Sequence, residues 1–108
     1  PDQDPSTINT LKALGYEQPE QMMNLVKQWH HGRMQATKTA RARALLTELT
    51  PAIVKTCSDR ENPDQVLLNF DRFLQGLPGG VQIFSLLTHG PEVLDMLTRI
   101  LSAAPEMV

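Results

Sequence analysis

At three sites inside this chain a proline followed at once by an acid marks a helix start: Pro19-Glu20, Pro63-Asp64 and Pro91-Glu92. Proline suits the first position of an α-helix, because the N–H it lacks would be unbonded there and its fixed φ already fits the turn. The acid behind it faces the positive end of the helix dipole, an interaction worth about 0.3–1 kcal/mol. Asn62, just ahead of Pro63, adds a side chain suited to the N-cap. Gly15, Gly32 and Gly90 stand where a left-handed C-cap would close the preceding unit. This punctuation specifies a string of helices.

The apolar pattern agrees. Val66, Leu67, Phe70, Phe73 and Leu74 fall at helical spacing, and Val93, Leu94, Leu97, Ile100 and Leu101 repeat it. Leu45, Leu46, Leu49, Ile53 and Val54 form a third stripe that Ala42 extends backwards. Met22, Val26 and Trp29 form a shorter one, and Ile8 with Leu11 one shorter still. No run alternates apolar and polar residues with β-branched enrichment, so no strand is expected. The spacing predicts helices near 6–14, 19–31, 38–57, 63–77, 80–89 and 91–103. Pro51, inside the third, predicts a kink near Thr50 or a break. Leu77-Pro78-Gly79-Gly80 reads as a tight corner whose two glycines are free to take positive φ.

The fold class that follows is all-α: a compact bundle of five to seven short helices with short loops and antiparallel neighbours. Its expected core is Ile8, Leu11, Met22, Val26, Leu45, Leu46, Leu49, Ile53, Val66, Phe70, Phe73, Leu74, Val81, Phe84, Leu87, Leu94, Leu97 and Ile100. The 108 residues suit a single domain, one that buries enough for about 5–10 kcal/mol of net stability. Residues 1–5 read as a loose end and 58–61 as a polar loop. Ala104-Pro105-Glu106-Met107-Val108 reads as the first turn of another helix, which makes residues 1–108 a single helical domain within a longer protein.

Composition narrows function by exclusion. A formal charge of −2 gives no basic surplus for nucleic acid. That argues against a helix-turn-helix DNA binder reading with Arg41 and Arg43. Apolar runs of two or three residues leave no room for a membrane span or a signal-peptide core. The single cysteine, Cys57, makes no internal disulfide, which points to a reducing, cytoplasmic setting.

Catalytic groupings are thin. His30 and His31 are adjacent and diverge by about 100° on a helix, so they do not share a metal, and a metal site that includes His89 is not expected. A histidine at a helix end eases the dipole instead. Cys57 continues the Ile53 stripe and reads as a small buried hydrophobe. Gly76 to Gly80 precedes a helix, and backbone amides at such an N-terminus can hold phosphate. No strand leads into it and no Lys-Ser/Thr pair follows, so a turn between packed helices is the better account. Asp71 and Asp95 lie on separate helices, each with an arginine nearby (Arg72, Arg99), and nothing pairs them as acid and base. No catalytic, cofactor-binding or metal-binding residue is assigned.

One feature rises above this background. No acid occurs between Glu20 and Glu48, whereas Lys27, Arg33, Lys38, Arg41 and Arg43 all fall there, with His30 and His31. The default reading is a solvated face. The sharper one makes Arg33, Lys38, Arg41 and Arg43 a contact surface for a neighbouring domain or an acidic partner. Trp29 reads equally as an anchor of that surface or as a core aromatic.

The stretch from Asn62 to Pro105 resembles the central region of the bifunctional glutamine synthetase adenylyltransferase/adenylyl-removing enzymes. The likeness is carried by a Phe-x-x-Phe-Leu helix (Phe70, Phe73, Leu74) and by the string Leu77 to Leu86, which follows the family's Leu-Pro-x-Gly-Val-Gln-x-Phe-Ser-Leu. Pro91, Leu94 and Leu97, then Ala104-Pro105, continue it. Upstream, Leu14-Gly15-Tyr16 with Pro19-Glu20 and the Ala-Arg-rich helix from Arg41 to Pro51 extend the resemblance to about residues 13–107. Asn62 replaces the family's Asp before Pro63, a harmless change since both cap helices. Gly90 replaces its Asn before Pro91, which weakens that cap.

What the resemblance implies is larger than this chain. Enzymes of this family carry two nucleotidyltransferase domains, one adding AMP from ATP to a tyrosine of glutamine synthetase, the other removing it by phosphorolysis. Each uses a Gly-Ser motif and an Asp-x-Asp pair that binds magnesium. Here no Gly-Ser dipeptide occurs, and Asp2-Gln3-Asp4 has the acidic spacing without it. The resemblance therefore implies a helical linker or regulatory segment without chemistry of its own. ATP and magnesium belong to the parent enzyme. Its partners would be the catalytic domains of the same chain, with glutamine synthetase and a PII-type signal protein as partners of the whole. Should the resemblance fail, the residues still describe a free-standing helical interaction module with a basic face at 27–43.

Overall fold

The computed structural model describes residues 5–103. Six α-helices follow in order: α1 (Pro5–Ala13), α2 (Pro19–Gln28), α3 (Ala40–Ser58), α4 (Pro63–Gln75), α5 (Val81–His89) and α6 (Pro91–Ala103). Two short 3₁₀ turns, Trp29–His31 and Gln35–Thr37, join α2 to α3. No strand occurs among the described residues, and the all-α bundle is as expected. The expected loose end at 1–5 and helical turn at 104–108 fall outside the described residues, except for Pro5, which opens α1 instead of preceding it.

The three Pro-acid pairs do start helices, since Pro19, Pro63 and Pro91 each stand at the head of α2, α4 and α6. The caps differ from expectation. Asn62 occupies the N-cap position of α4 but its side chain makes no capping bond. Asp64, on the first turn of α4, reaches across instead and accepts from the backbone N–H groups of Glu17 (2.8 Å) and Gln18 (2.9 Å). Those amides lead into α2, whose own cap residue contributes no side-chain bond. One carboxylate thus satisfies orphan donors of a different helix.

Pro51 does not break α3, which runs unbroken for 19 residues. Its missing bond frees the Thr47 carbonyl, and both residues are exposed, where solvent can satisfy it. The helix expected over 19–31 stays α-helical only to Gln28, then tightens into a 3₁₀ turn that ends at Gly32 with φ +70°. Gly15, at φ +103°, is the other left-handed glycine. Gly90 is not left-handed (φ −129°), nor is Gly80 (φ −113°). Gly80 is needed for room: a Cβ there would run into the Ala36 carbonyl and the Phe84 ring, whereas at Gly79 it would meet open space.

α3 is the axis of the bundle. It packs against α4, α5, α6 and both 3₁₀ turns, while α1 leans on α2 and α4 bridges α2 and α6. Trp29, Leu46, Ile53, Cys57, Leu67, Phe70, Leu74 and Phe84 are fully buried around it. Phe70 holds the centre, its ring 6.2 Å from Trp29 and 6.0 Å, edge-on, from Phe73. Trp29 is therefore a core aromatic. Of the expected core, Ile8, Val26, Leu45, Phe73, Val81 and Leu97 are only half-buried and packed at its margin. Ile100 is a clear departure, 59% exposed on the outer side of α6. Tyr16, Met23 and Ala36 are core residues that helical spacing did not single out; Tyr16 ties the turn after α1 to α3 by donating to the Val54 carbonyl at 2.7 Å.

Candidate functional site

The basic run lies on the connection from α2 to α3 and the first turn of α3. Local chemistry shapes it. Gly32 turns the chain by its left-handed φ, and a second 3₁₀ turn ends at Thr37. Thr39 then caps α3, its hydroxyl accepting from the Ala42 N–H at 3.1 Å. Arg43, one turn into α3, reaches back and donates from Nη1 to the carbonyls of Thr37 (2.9 Å) and Lys38 (3.2 Å). A Cβ at position 32 would also approach this Nη1 to 2.8 Å, but it is the left-handed φ of +70° that calls for glycine there.

The four expected contact residues therefore divide. Arg43 is half-buried and committed to bracing the turn. Arg33, Lys38 and Arg41 are exposed, and among the described residues none of the three forms an ion pair or a side-chain hydrogen bond. Lys27, at the end of α2, lines a groove of about 500 Å³ with Thr7, Leu11, Val26, His30 and Pro51. The only carboxylates in ion pairs among the described residues, Asp59 and Asp95, serve Lys55 in one case and Arg60 and Arg99 in the other. The turn keeps three exposed, uncompensated cations.

His30 borders this turn. Thr47 donates its hydroxyl proton to the Arg43 carbonyl (2.8 Å), so its oxygen is left to accept from His30 Nδ1 at 3.1 Å. That network places a proton on Nδ1, whether the ring is neutral or charged. Partial burial lowers the His30 pKa below its usual value, and the neighbouring His31 lowers it further. His89 Nδ1 meets the Ser85 carbonyl at 2.8 Å, a helix-end histidine bonded within its own helix.

Asp71 is the residue whose role the sequence concealed. It is buried, accepting from the Trp29 indole N–H at 2.9 Å and from Gln75 Nε2 at 2.7 Å. The arginine next to it in sequence, Arg72, is exposed and makes no ion pair with it. Asp95 does pair with Arg99 (2.9 Å), and also with Arg60 (3.3 Å). One signal for Asp71 was available: a buried indole N–H needs an acceptor, and Asp71 adjoins Phe70 on the inward side of its helix. Cys57 is fully buried, and desolvation pushes its thiol up to about 12 despite the opposing pull of Arg60, which leaves it an inert thiol at neutral pH. No three of His, Cys, Asp and Glu gather among the described residues.

Against known proteins, the similarity is extensive. Over 104 residues, 96% of its length, the chain is 49% identical to the bifunctional glutamine synthetase adenylyltransferase/adenylyl-removing enzyme of Brucella melitensis. Proteins of the same name from Brucella suis and Bartonella henselae are 48% and 47% identical over the same share of this chain. The chain is a homologue of one segment of these adenylyltransferases. It spans 11% of the length of each of these three adenylyltransferases. No family model matches the chain, and no solved structure matches it. No helix among its described residues is long and apolar enough to cross a membrane.

Proposed function

We propose that this domain is a non-catalytic linker and regulatory segment of the enzyme that adenylylates and deadenylylates glutamine synthetase in the control of nitrogen assimilation. The observation that carries the proposal is the α2–α3 turn: a rigid scaffold braced by Arg43 that presents Arg33, Lys38 and Arg41 without counter-charge. Uncompensated cations on a fixed backbone favour an acidic surface close by. The catalytic domains of the same chain, tethered at high effective concentration, are the partners we propose for the turn. ATP and magnesium then act in those domains, in the cytoplasm. Glutamine synthetase and a PII-type signal protein are partners of the whole enzyme.

The names of the relatives join two opposed activities, which would cancel if they ran together. A helical segment touching both catalytic domains can bias them in opposite directions if its contacts differ between two states. The test is the triple reversal Arg33→Glu, Lys38→Glu, Arg41→Glu in the full-length enzyme, with both reactions assayed. The expected result is a changed ratio of adenylylation to deadenylylation with unchanged thermal stability. If both rates and their effector responses stay as in the parent, the turn is an ordinary solvated face.

A further inference from the structure

The large apolar side chains left exposed among the described residues all lie on the last two helices: Leu86 of α5 (52%), and Met96 (55%) and Ile100 (59%) of α6. On α6 they are not scattered. Val93, Met96, Leu97 and Ile100 stand at i, i+3, i+4 and i+7, a continuous seam whose other two members are half-buried. The inward side of the same helix is separately occupied by Leu94, Thr98 and Leu101, all buried. A helix apolar on two sides is suited to lie between two layers. Among the described residues one layer packs on it, formed by α3, α4 and α5.

The chain itself points to the second layer. Each Pro-acid pair within the described residues heads a helix, and the sequence carries a further pair, Pro105-Glu106, beyond them. Within the described residues Gly90 alone joins α5 to α6, and those two helices pack on each other. Short connections between helices favour neighbours that pack on one another. The adenylyltransferases it resembles are far longer than the matched stretch, which fills 11% of their length. We propose that the Val93–Met96–Leu97–Ile100 seam is covered, in the longer protein, by the segment of chain that follows residue 103.

This proposal does not draw on the basic turn, so either can fail without the other. Its test uses the full-length enzyme with other reactive cysteines replaced. Met96→Cys and Ile100→Cys are compared, in separate proteins, with Arg99→Cys on the exposed side of α6. The expected result is labelling by a thiol reagent at least about tenfold slower at 96 and 100 than at 99, independent of protein concentration. In parallel, hydrogen exchange on Ile100→Asp should show lost protection in the segment after residue 103 with α3 and α4 unchanged; Ile100→Ala, the milder change, should show it in part. Fast labelling at 96 and 100 overturns the proposal. Slow labelling with the exchange change in a distant segment overturns it in favour of another domain. Protection that grows with concentration overturns it in favour of a second copy.

Discussion

The indole N–H of Trp29 donates to the carboxylate of Asp71 at 2.9 Å, with both residues buried and 42 positions apart in the chain. The bond ties the end of α2 to α4 next to the Trp29–Phe70 contact, and Gln75 satisfies the second carboxylate oxygen. Removing the acceptor strands a buried donor, which costs about 1–3 kcal/mol beyond the bond itself. Asp71→Ala is expected to lower the unfolding free energy measured in urea by that amount, with Asp71→Asn, which keeps a carbonyl acceptor, losing less. Equal losses in the two variants would mean that packing, and not the acceptor, is what counts.

Phe70 touches Trp29 on one side and Phe73 on the other at the centre of the bundle. Phe70→Ala removes most of that contact and leaves a cavity, a combined cost of about 3–5 kcal/mol. A domain of this size has little more than that in reserve. The expected outcome is a chain largely unfolded at 37 °C by circular dichroism, and an unmoved denaturation midpoint would refute the central placement.

Gly79 and Gly80 look interchangeable in sequence and are not in space. An alanine methyl at 80 meets the Ala36 backbone and the Phe84 ring, neither of which is a flexible chain end, while at 79 it meets nothing. Gly80→Ala should destabilise by about 1–3 kcal/mol through overpacking. Gly79→Ala should be neutral or stabilise by up to about 1 kcal/mol, because it restricts the unfolded chain. Thermal melts of the two variants give the comparison directly.

That contrast marks where sequence reading stops. Helix starts were legible because a proline's fitness for the first helical position is a local property, and the core of α3 and α4 was legible because burial follows helical period. Asp64 was read correctly as a first-turn acid, yet its two bonds go to amides 46 and 47 positions away. Gly80 was read as a conformational glycine when its constraint is the approach of a distant turn. Ile100 belongs to the same stripe as Leu101 by spacing, but which part of a broad apolar stripe faces inward is set by the neighbours of α6. At the candidate site the charge run was legible and the commitment of Arg43 was not, because a guanidinium bonded to backbone carbonyls has no sequence signature.

Arg43 and Arg41 should separate accordingly. Arg43→Ala leaves the carbonyls of Thr37 and Lys38 without their guanidinium donor and loosens the turn that carries Arg33 and Lys38. Bonds from a charged donor are worth about 1.5–3 kcal/mol, so a loss near the lower end is expected at this half-buried site. Arg41→Ala, at an exposed position, should stay within about 0.5 kcal/mol of the parent. Chemical denaturation of both variants reads the difference, and equal effects would make Arg43 an ordinary surface residue.

His30 gives the domain a pH dependence whose sign follows from its surroundings. Burial, with His31 adding to it, lowers its pKa in the folded state below the ordinary value of 6.5, so folding favours the neutral ring. As pH falls through about 6.5 the unfolded chain takes up the proton first, and stability rises with pH wherever the unfolded state binds more protons. The contribution of His30 is therefore complete above that value and lost below it, as pH drops through the lowered folded-state pKa. The ring is partly exposed beside Lys27 and Thr47, so solvent keeps the effect small. His30→Gln keeps a donor for the Thr47 hydroxyl but carries no titratable ring. The difference in urea midpoint between roughly pH 8 and pH 5.5 should be smaller in His30→Gln than in the parent. An unchanged difference would show that the folded and unfolded chains hold the His30 proton equally well.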